Sequence, residues 1–472
     1  MIFVTLICVA LIALYFYGTK TFKYWEERGV KHARPIPILG NNARNYLMRK
    51  SMTQVITEVY WKYPDEPVVG FFRSLRPELI VRDPNIIKRI LNTDFQYFYQ
   101  RGLNHKADME PLNRNLFFTG GDMWRLLRQR LTLMARYTTD FIGACGFGLD
   151  ADSLQDEDSE FRKLGMEIFR IDAKFIFKLF LKQLFPETFK NLKMFGHIEK
   201  TVIQLLKQVL KQRNYQPSSR NDFVDLLIEC KKKGTIVGES IERRDAEGKP
   251  EIAKLEIDDE ILAAQMFVFF AAGFETSSSA TSTTLNELAH NPHVQVKVQE
   301  EIDRVLAKHN NKLCYEAVKE MTYLEWTFKE GMRVLPSLGF LTRECVRKYT
   351  FEDLNFSIDE GVLVMIPVQA LQNDPSYFPD PEEFRPERFD PELADPNNKF
   401  VYLPFGEGPR ACVGERLGLM QSLAGLAAVL SKFDVSPAPG APRHPVLNPA
   451  GGIVQSVVGG IPLVFRERSA PH

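Results

Sequence analysis

The stretch Phe405-Gly-Glu-Gly-Pro-Arg-Ala-Cys-Val-Gly-Glu-Arg416 gathers residue types that could do chemistry. Gly406, Gly408 and Gly414 tolerate backbone geometries closed to other residues, so the loop can press against something flat. Cys412 sits just before an apolar helical pattern, Leu417 to Leu430, and the positive end of a helix favours a thiolate. Arg410, two residues earlier, adds a fixed positive charge beside it. A thiolate on a tight loop with a basic neighbour suits axial ligation of haem iron. Other readings compete on the residues alone. A single cysteine is commonly a small buried hydrophobe. A phosphatase-type Cys-x5-Arg loop would need arginine where Gly418 stands. Gly406, Gly408 and Ala411 fit a dinucleotide fingerprint, against which stand Pro409 in the turn and the lack of a repeated βαβ pattern.

Three further groups have suggestive spacing. Trp124 and Arg128, in Gly121-Asp-Met-Trp-Arg-Leu-Leu-Arg128, stand one helical turn apart on one face. Alone they describe an aromatic ring packed on an arginine stem. Ala271-Ala-Gly-Phe-Glu-Thr-Ser-Ser-Ser279 lies between the apolar run Ile261 to Phe270 and the helical Leu285-Asn-Glu-Leu288, which favours a long helix over a Ser/Thr-rich linker. In such a helix the Thr276 hydroxyl can bond the Ala272 carbonyl and bend the axis. Gly273 then leaves room for a diatomic ligand, and Glu275 is placed to relay protons from solvent. Glu330 and Arg333, at i and i+3, are on any helix most often an exposed ion pair.

The elements that must position these groups come next. With 472 residues, 44% hydrophobic and 25% charged, the chain suits one large globular domain or several average ones. Sixty basic and sixty acidic residues cancel, which gives no basis for a nucleic-acid partner. Cysteines 8, 145, 230, 314, 345 and 412 show neither paired spacing nor density, the pattern of a reducing compartment. His290 and His293 flank Asn-Pro at a helix end and read as surface residues.

Ile2 to Tyr17 is almost unbroken apolar sequence, about 24 Å as a helix against a hydrocarbon core of ~30 Å. It lacks the basic start and small-residue cleavage site of a signal peptide, and Lys20, Lys23, Arg28, Lys31 and Arg34 follow it. Residues 1–18 are therefore expected to be an uncleaved membrane anchor, 19–40 a basic, proline-rich linker, and 41–472 the body on the cytoplasmic side. Pro35-Ile-Pro37-Ile-Leu-Gly40 reads as a rigid spacer.

In the body, Met52 to Lys62 reads as a helix, Val68 to Phe72 and Leu79 to Val81 as strands, and Asn85 to Leu91 as a short helix. Tyr97 to Thr119 has no period, and Phe117 and Phe118 at its end are candidates to face a pocket. Phe161 to Phe195 holds eight phenylalanines among lysines and arginines, a pattern that suits a second membrane contact beside a substrate entrance. The charged run Glu239 to Lys254 reads as a mobile loop. A helix is expected from Asp258 or Asp259 to Ala289, stopped by Asn291-Pro292 and roughly 45 Å long. Gly452 to Val457 and Ile461 to Phe465 read as a closing hairpin.

Phe405, Gly408, Arg410, Cys412 and Gly414 together resemble the haem loop of the cytochrome P-450 superfamily. Trp124 and Arg128 resemble its W-x-x-x-R helix, Ala272-Gly-Phe-Glu-Thr276 its A-G-x-[DE]-T segment, and Glu330-Gly-Met-Arg333 with Pro386-Glu-Arg388-Phe389 its E-x-x-R helix and following meander. The resemblance is to the animal microsomal type, and within it to insect enzymes acting on foreign and endogenous lipophilic compounds. It implies one mainly α domain with small β-sheets, haem b with Cys412 as axial iron ligand, and Trp124, Arg128, Arg343, Arg410 and Phe405 against the cofactor. It implies that Thr276 and Glu275 manage protons, that the thiolate favours O–O cleavage, and that Val268, Ala271, Ala272, Leu338 and Phe117 border the pocket. It further implies electrons from an NADPH-dependent reductase, cytochrome b5 as an accessory partner, and residence in the endoplasmic reticulum membrane. A buried Glu330–Arg333–Arg388 network would fix the proximal scaffold, with Gly331 costing its helix about 1 kcal/mol.

The sequence departs from that pattern at one place. Leu131-Thr-Leu-Met134 passes directly into Ala135-Arg-Tyr-Thr-Thr-Asp-Phe-Ile-Gly-Ala-Cys-Gly-Phe-Gly148, so one core helix after the W-x-x-x-R helix is expected to be missing, through a real deletion or a splicing or gene-prediction artefact. A haem-binding but catalytically impaired relative and a dinucleotide-dependent oxidoreductase are the rival readings.

Overall fold

The computed structural model describes residues 1–103, 110–138, 160–169, 171–185, 188–189, 191–219, 222–393 and 399–468. Among the described residues helices dominate, and the strands form one four-stranded sheet and three two-stranded ones. The mainly α architecture expected from the resemblance is thus found.

The organising element is the helix Asp259–His290, 32 residues and about 48 Å at 1.5 Å per residue. The Asp258 carboxylate caps it by accepting from the Ile261 amide at 2.7 Å. Asn291 ends it, and Pro292 opens the next helix, Pro292–Lys308, at a position where no amide is needed. Both ends of this central helix are buried, at Ile261 to Phe267 and from Thr283 to Ala289. They meet two different apolar cores, one built with Trp124, Leu126 and Leu127, the other with Leu324, Phe328 and Leu426.

Helix Met52–Lys62 and the first strands fall where the sequence places them. The larger sheet runs Val68–Arg73, Arg76–Val81, Leu363–Ile366, Leu341–Glu344, with one parallel pair between its two central strands. The helix expected from Asn85 to Leu91 is instead a short α-helix, Pro84–Lys88, that widens into a π turn, Arg89–Thr93.

Several expectations are corrected. Pro35 to Gly40 is no rod: Ile36 and Gly40 exchange backbone hydrogen bonds of 2.9 and 2.7 Å across a tight turn, and the Ile38 amide donates to the Gly18 carbonyl. The linker is folded onto the body, with Trp25 fully buried and donating from Nε1 to Phe71 O. The charged run is a β-hairpin, Thr235–Arg244 with Pro250–Glu256. Asp245 closes its turn by accepting from the Glu247 and Lys249 amides, and Gly248 supplies the positive φ of 79°. Charge on alternate residues hides the apolar alternation that ends in buried Ala253 and Leu255.

The closing hairpin also differs. Leu463–Glu467 pairs with Phe433–Pro437, and Val457 makes only an isolated bridge to Leu447. Gly459 and Gly460, both at positive φ, turn the chain away from the nearer partner. Gly331 is required rather than merely tolerated. A Cβ there would lie 2.3 Å from Thr284 Oγ1, so its absence lets helix Thr322–Val334 press on the central helix.

The W-x-x-x-R helix is Gly121–Thr138, unbroken across Leu131 to Ala135. Residues 139–148 of the following expected helix lie outside the described residues. Asp122 at its start accepts from Ser240 Oγ at 2.8 Å and from the Ile241 amide at 2.7 Å, which ties the hairpin to this helix.

Candidate active site

Helix Glu415–Leu430 begins two residues after Cys412's neighbour Val413, with Gly414 at its N-cap. The preceding loop is closed by the Cys412 amide donating to Phe405 O at 2.8 Å. Gly408 has φ of 75°, and a Cβ there would sit 1.9 Å from Leu91 O, so no other residue fits. The Cys412 side chain is accessible, yet burial is the chief cause that pushes its thiol above the ordinary range. The Gly414 amide, Arg101 and Arg128 pull the other way, and Glu415 adds to the rise. The thiol is thus accessible and yet crowded by protein.

Arg410 corrects the sequence reading. Its guanidinium turns from Cys412 to donate to Tyr99 O at 2.8 Å and Thr119 O at 2.7 Å, and it stacks 4.2 Å over the Trp124 ring. The cations felt by the thiol are Arg128, which donates to Ala411 O at 2.8 Å, and Arg101. Arg101 escaped the sequence reading. It donates to Arg410 O at 2.9 Å and Phe117 O at 3.1 Å and lies over the Phe117 ring.

With Arg343, these make four arginines in one neighbourhood. Burial, then Arg101, pushes Arg343 down to about 9, and burial pushes Arg101 down to about 10. Arg410 is held well below its usual value by burial and then by Arg101, Arg343 and Arg128. Among the described residues every hydrogen bond these four side chains make goes to a backbone carbonyl, none to a carboxylate. Arg343 Nε and Arg410 Nη1 are buried with no partner at all. Clustered, desolvated cations with donors left over are built for an anion of more than one charge.

The central helix approaches the cysteine loop. Between its two buried ends, Ala272, Gly273 and Phe274 are exposed, an opening where a core helix should be covered. Nothing lies within 4 Å of where a Gly273 Cβ would be. Thr276 Oγ1 donates to Ala272 O at 2.6 Å as expected, and Ser337 Oγ donates to Thr276 O at 3.0 Å. Glu275 is half-buried, and that burial raises its carboxyl above the usual range. A Cβ on Gly418 would lie 3.9 Å from Ser277 Oγ and 4.0 Å from Phe405 Cε1, so the cysteine loop and the exposed segment come together at this point. Phe118, Phe195 and Phe267 form an aromatic chain nearby, with centroids 6.4 and 5.7 Å apart. Phe117 and Leu338 are half-buried, Ala271 is buried, and Val268 is intermediate.

Beneath the loop, Glu330 and Arg333 are fully buried and form two bonds of 2.8 and 3.0 Å. Arg388 Nε reaches the same carboxylate at 3.3 Å, and Arg333 also donates to Gln372 O and Pro381 O. Gln372, missed in the sequence, carries this framework to the loop. Its Nε2 donates to Met332 O at 2.9 Å while its Oε1 accepts from the Leu403 amide at 2.9 Å.

The thiol loop, the uncovered helix segment and the cluster of arginines without carboxylates are the features that make up the candidate site. The sequence profile of the Cytochrome P450 family matches residues 30–133 and 130–461, and the chain belongs to that family of haem-dependent monooxygenases. It is 32% identical to Cytochrome P450 6B6 of Helicoverpa armigera over 508 positions, covering 97% of this chain and 98% of that one. It is 33% identical to Cytochrome P450 6B1 of Papilio polyxenes, covering 92% and 93%. To Probable cytochrome P450 6a14 of Drosophila melanogaster it is 34% identical, covering 92% and 93%.

Proposed function

We propose that the chain binds haem b with Cys412 as iron ligand and inserts oxygen into lipophilic small molecules. The observation that carries this is a set of four clustered arginines without carboxylates, Arg343 and Arg410 buried and Arg101 and Arg128 half-buried, which fits the two propionates of such a cofactor. Arg101, Arg128, Arg343 and Arg410 would hold them, with Trp124 keeping Arg410 in place. Haem, when bound, supplies the iron at which molecular oxygen is activated. Cys412, its thiol held above the ordinary range by burial, would lose its proton on serving as the iron ligand. Thr276 leaves the space beside Gly273 open, and Glu275, whose carboxyl burial raises above the usual range, passes protons toward it.

Electrons come, on this reading, from an NADPH-dependent reductase, with cytochrome b5 as accessory. The helix Ile2–Thr19 is long and apolar enough to cross a membrane and almost wholly exposed, which supports anchoring in the endoplasmic reticulum. The helix Ala173–Leu184 lies beside its exit: Tyr17 stacks on Phe185, Tyr46 packs against Phe180, and Phe177 is exposed. That supports a second membrane contact here. The two family matches meet at 130–133, and the 508-position alignment exceeds the chain's 472 residues, which supports loss of a helix at Leu131 to Ala135.

Two outcomes are expected. Arg343→Leu should leave the haem-free chain as stable or more stable, by up to about 1–4 kcal/mol, because an uncompensated buried cation is removed, while haem retention falls. Thermal melts of both forms check the opposite signs. In vesicles with reductase and NADPH, the full chain should oxidise a lipophilic aryl ether, and Thr276→Ala should lower product per NADPH by on the order of 10²-fold. A haem-loaded chain that consumes no NADPH and forms no product would instead establish the impaired relative.

A further inference from the structure

A second cluster lies away from the haem pocket, between helices Pro292–Lys308 and Tyr315–Glu320. Asn310 and Asn311, at φ of 55° and 56°, fold the connecting loop back on itself, and the Asn311 amide donates to Leu306 O at 2.8 Å. The fold-back brings Cys314 Sγ to 3.8 Å from His309 Nδ1. On its other side, His309 Nε2 lies 3.0 Å from Glu320 Oε1. A carboxylate only accepts, so Nε2 carries the hydrogen, and in the neutral imidazole the Nδ1 lone pair faces the thiol. Lys308 Nζ, 3.5 Å from the other Glu320 oxygen, is the further charged group against the trio among the described residues.

This is the order that activates a nucleophile: thiol, base, and an acid that fixes the base. Three features make it available for reaction. Cys314 is half-buried, while the His309 and Glu320 side chains keep 22% and 45% exposure. Nothing in the proposed oxygenation uses the trio. The other described cysteines differ: Cys230 and Cys345 are buried, Cys8 belongs to the anchor helix and Cys412 to the pocket.

We propose that Cys314 is a thiol-modification site, activated by His309 and Glu320, that forms a mixed disulfide with a low-molecular-weight disulfide. His309 Nδ1 takes the Cys314 proton as the sulfur attacks one sulfur of the reagent. A protein–reagent S–S bond forms, the reagent's own S–S bond breaks, the other half of the reagent departs as a thiolate, and His309 passes the proton to solvent. No other oxidant is consumed.

The test treats the haem-loaded full chain with dithionitrobenzoate and follows the Cys314 peptide by mass spectrometry across pH. An unassisted thiol with its pKa near 8.5 reacts about tenfold faster per pH unit in the neutral range. In the native chain Cys314 modification should stay nearly flat from about pH 6.5 to 8 and should exceed that of His309→Ala about tenfold at pH 7. Glu320→Gln should fall between them, with the haem spectrum unchanged in both variants. A native profile that climbs tenfold per pH unit, as in an unfolded Cys314 peptide, would overturn the proposal without reference to any variant. So would equal rates in the native and His309→Ala chains.

Discussion

Glu330→Ala should destabilise the folded chain by about 3–5 kcal/mol, because it leaves Arg333 and Arg388 buried without their shared carboxylate. Against a total stability of roughly 5–15 kcal/mol, that is a large share. Arg388→Leu should cost less, since it removes one of two cations and leaves Arg333 paired to Glu330 by both oxygens. Arg333→Leu should fall nearer Glu330→Ala, because Gln372 O and Pro381 O lose their donors as well. Chemical denaturation of the three variants gives the ranking, and a Glu330/Arg333 double variant less damaged than the sum of its singles would establish coupling. Because Gln372 bridges this network to Leu403, loss of Glu330 should also loosen the cysteine loop and lower haem content at temperatures below unfolding.

Cys412→Ala should abolish oxygenation while leaving the fold intact. The side chain is accessible and bridges nothing in the core, so its truncation costs little stability. Its loss removes the proposed iron ligand itself, which should reduce turnover by more than the roughly 10–100-fold typical of outer-shell changes. The four arginines persist in this variant and should still retain weakened haem. If Cys412→Ala instead kept a nicotinamide or flavin and full activity, the loop would be a dinucleotide fingerprint after all.

What the sequence disclosed follows from how far apart the interacting residues are. Gly408 and Cys412, Ala272 and Thr276, and Glu330 and Arg333 act within one loop or one helical turn, so spacing alone exposes them. Arg101 was invisible because its partners, Phe117 O and Arg410 O, belong to an irregular segment and a loop 309 residues away. The direction of Arg410 depends on Tyr99, Thr119 and Trp124, none of them near it in the chain. Gly331 looked like a defect because the helix that fills its missing side chain is 47 residues upstream, at Thr284. The hairpin Thr235–Arg244 with Pro250–Glu256 was hidden by charge on its solvent side, although Asp245 and Gly248 carried the turn signal. Register between Leu463–Glu467 and Phe433–Pro437 is a long-range choice that local pattern does not encode.

The central claim is that a cysteine thiolate, not a histidine or a cysteine-free pocket, binds the iron. Reducing the full-length native protein and exposing it to carbon monoxide reads that ligand directly. A Soret band displaced to the position given by a thiolate ligand is the expected result. A band at the position given by imidazole, or no displacement in protein shown to contain stoichiometric haem, would contradict the account.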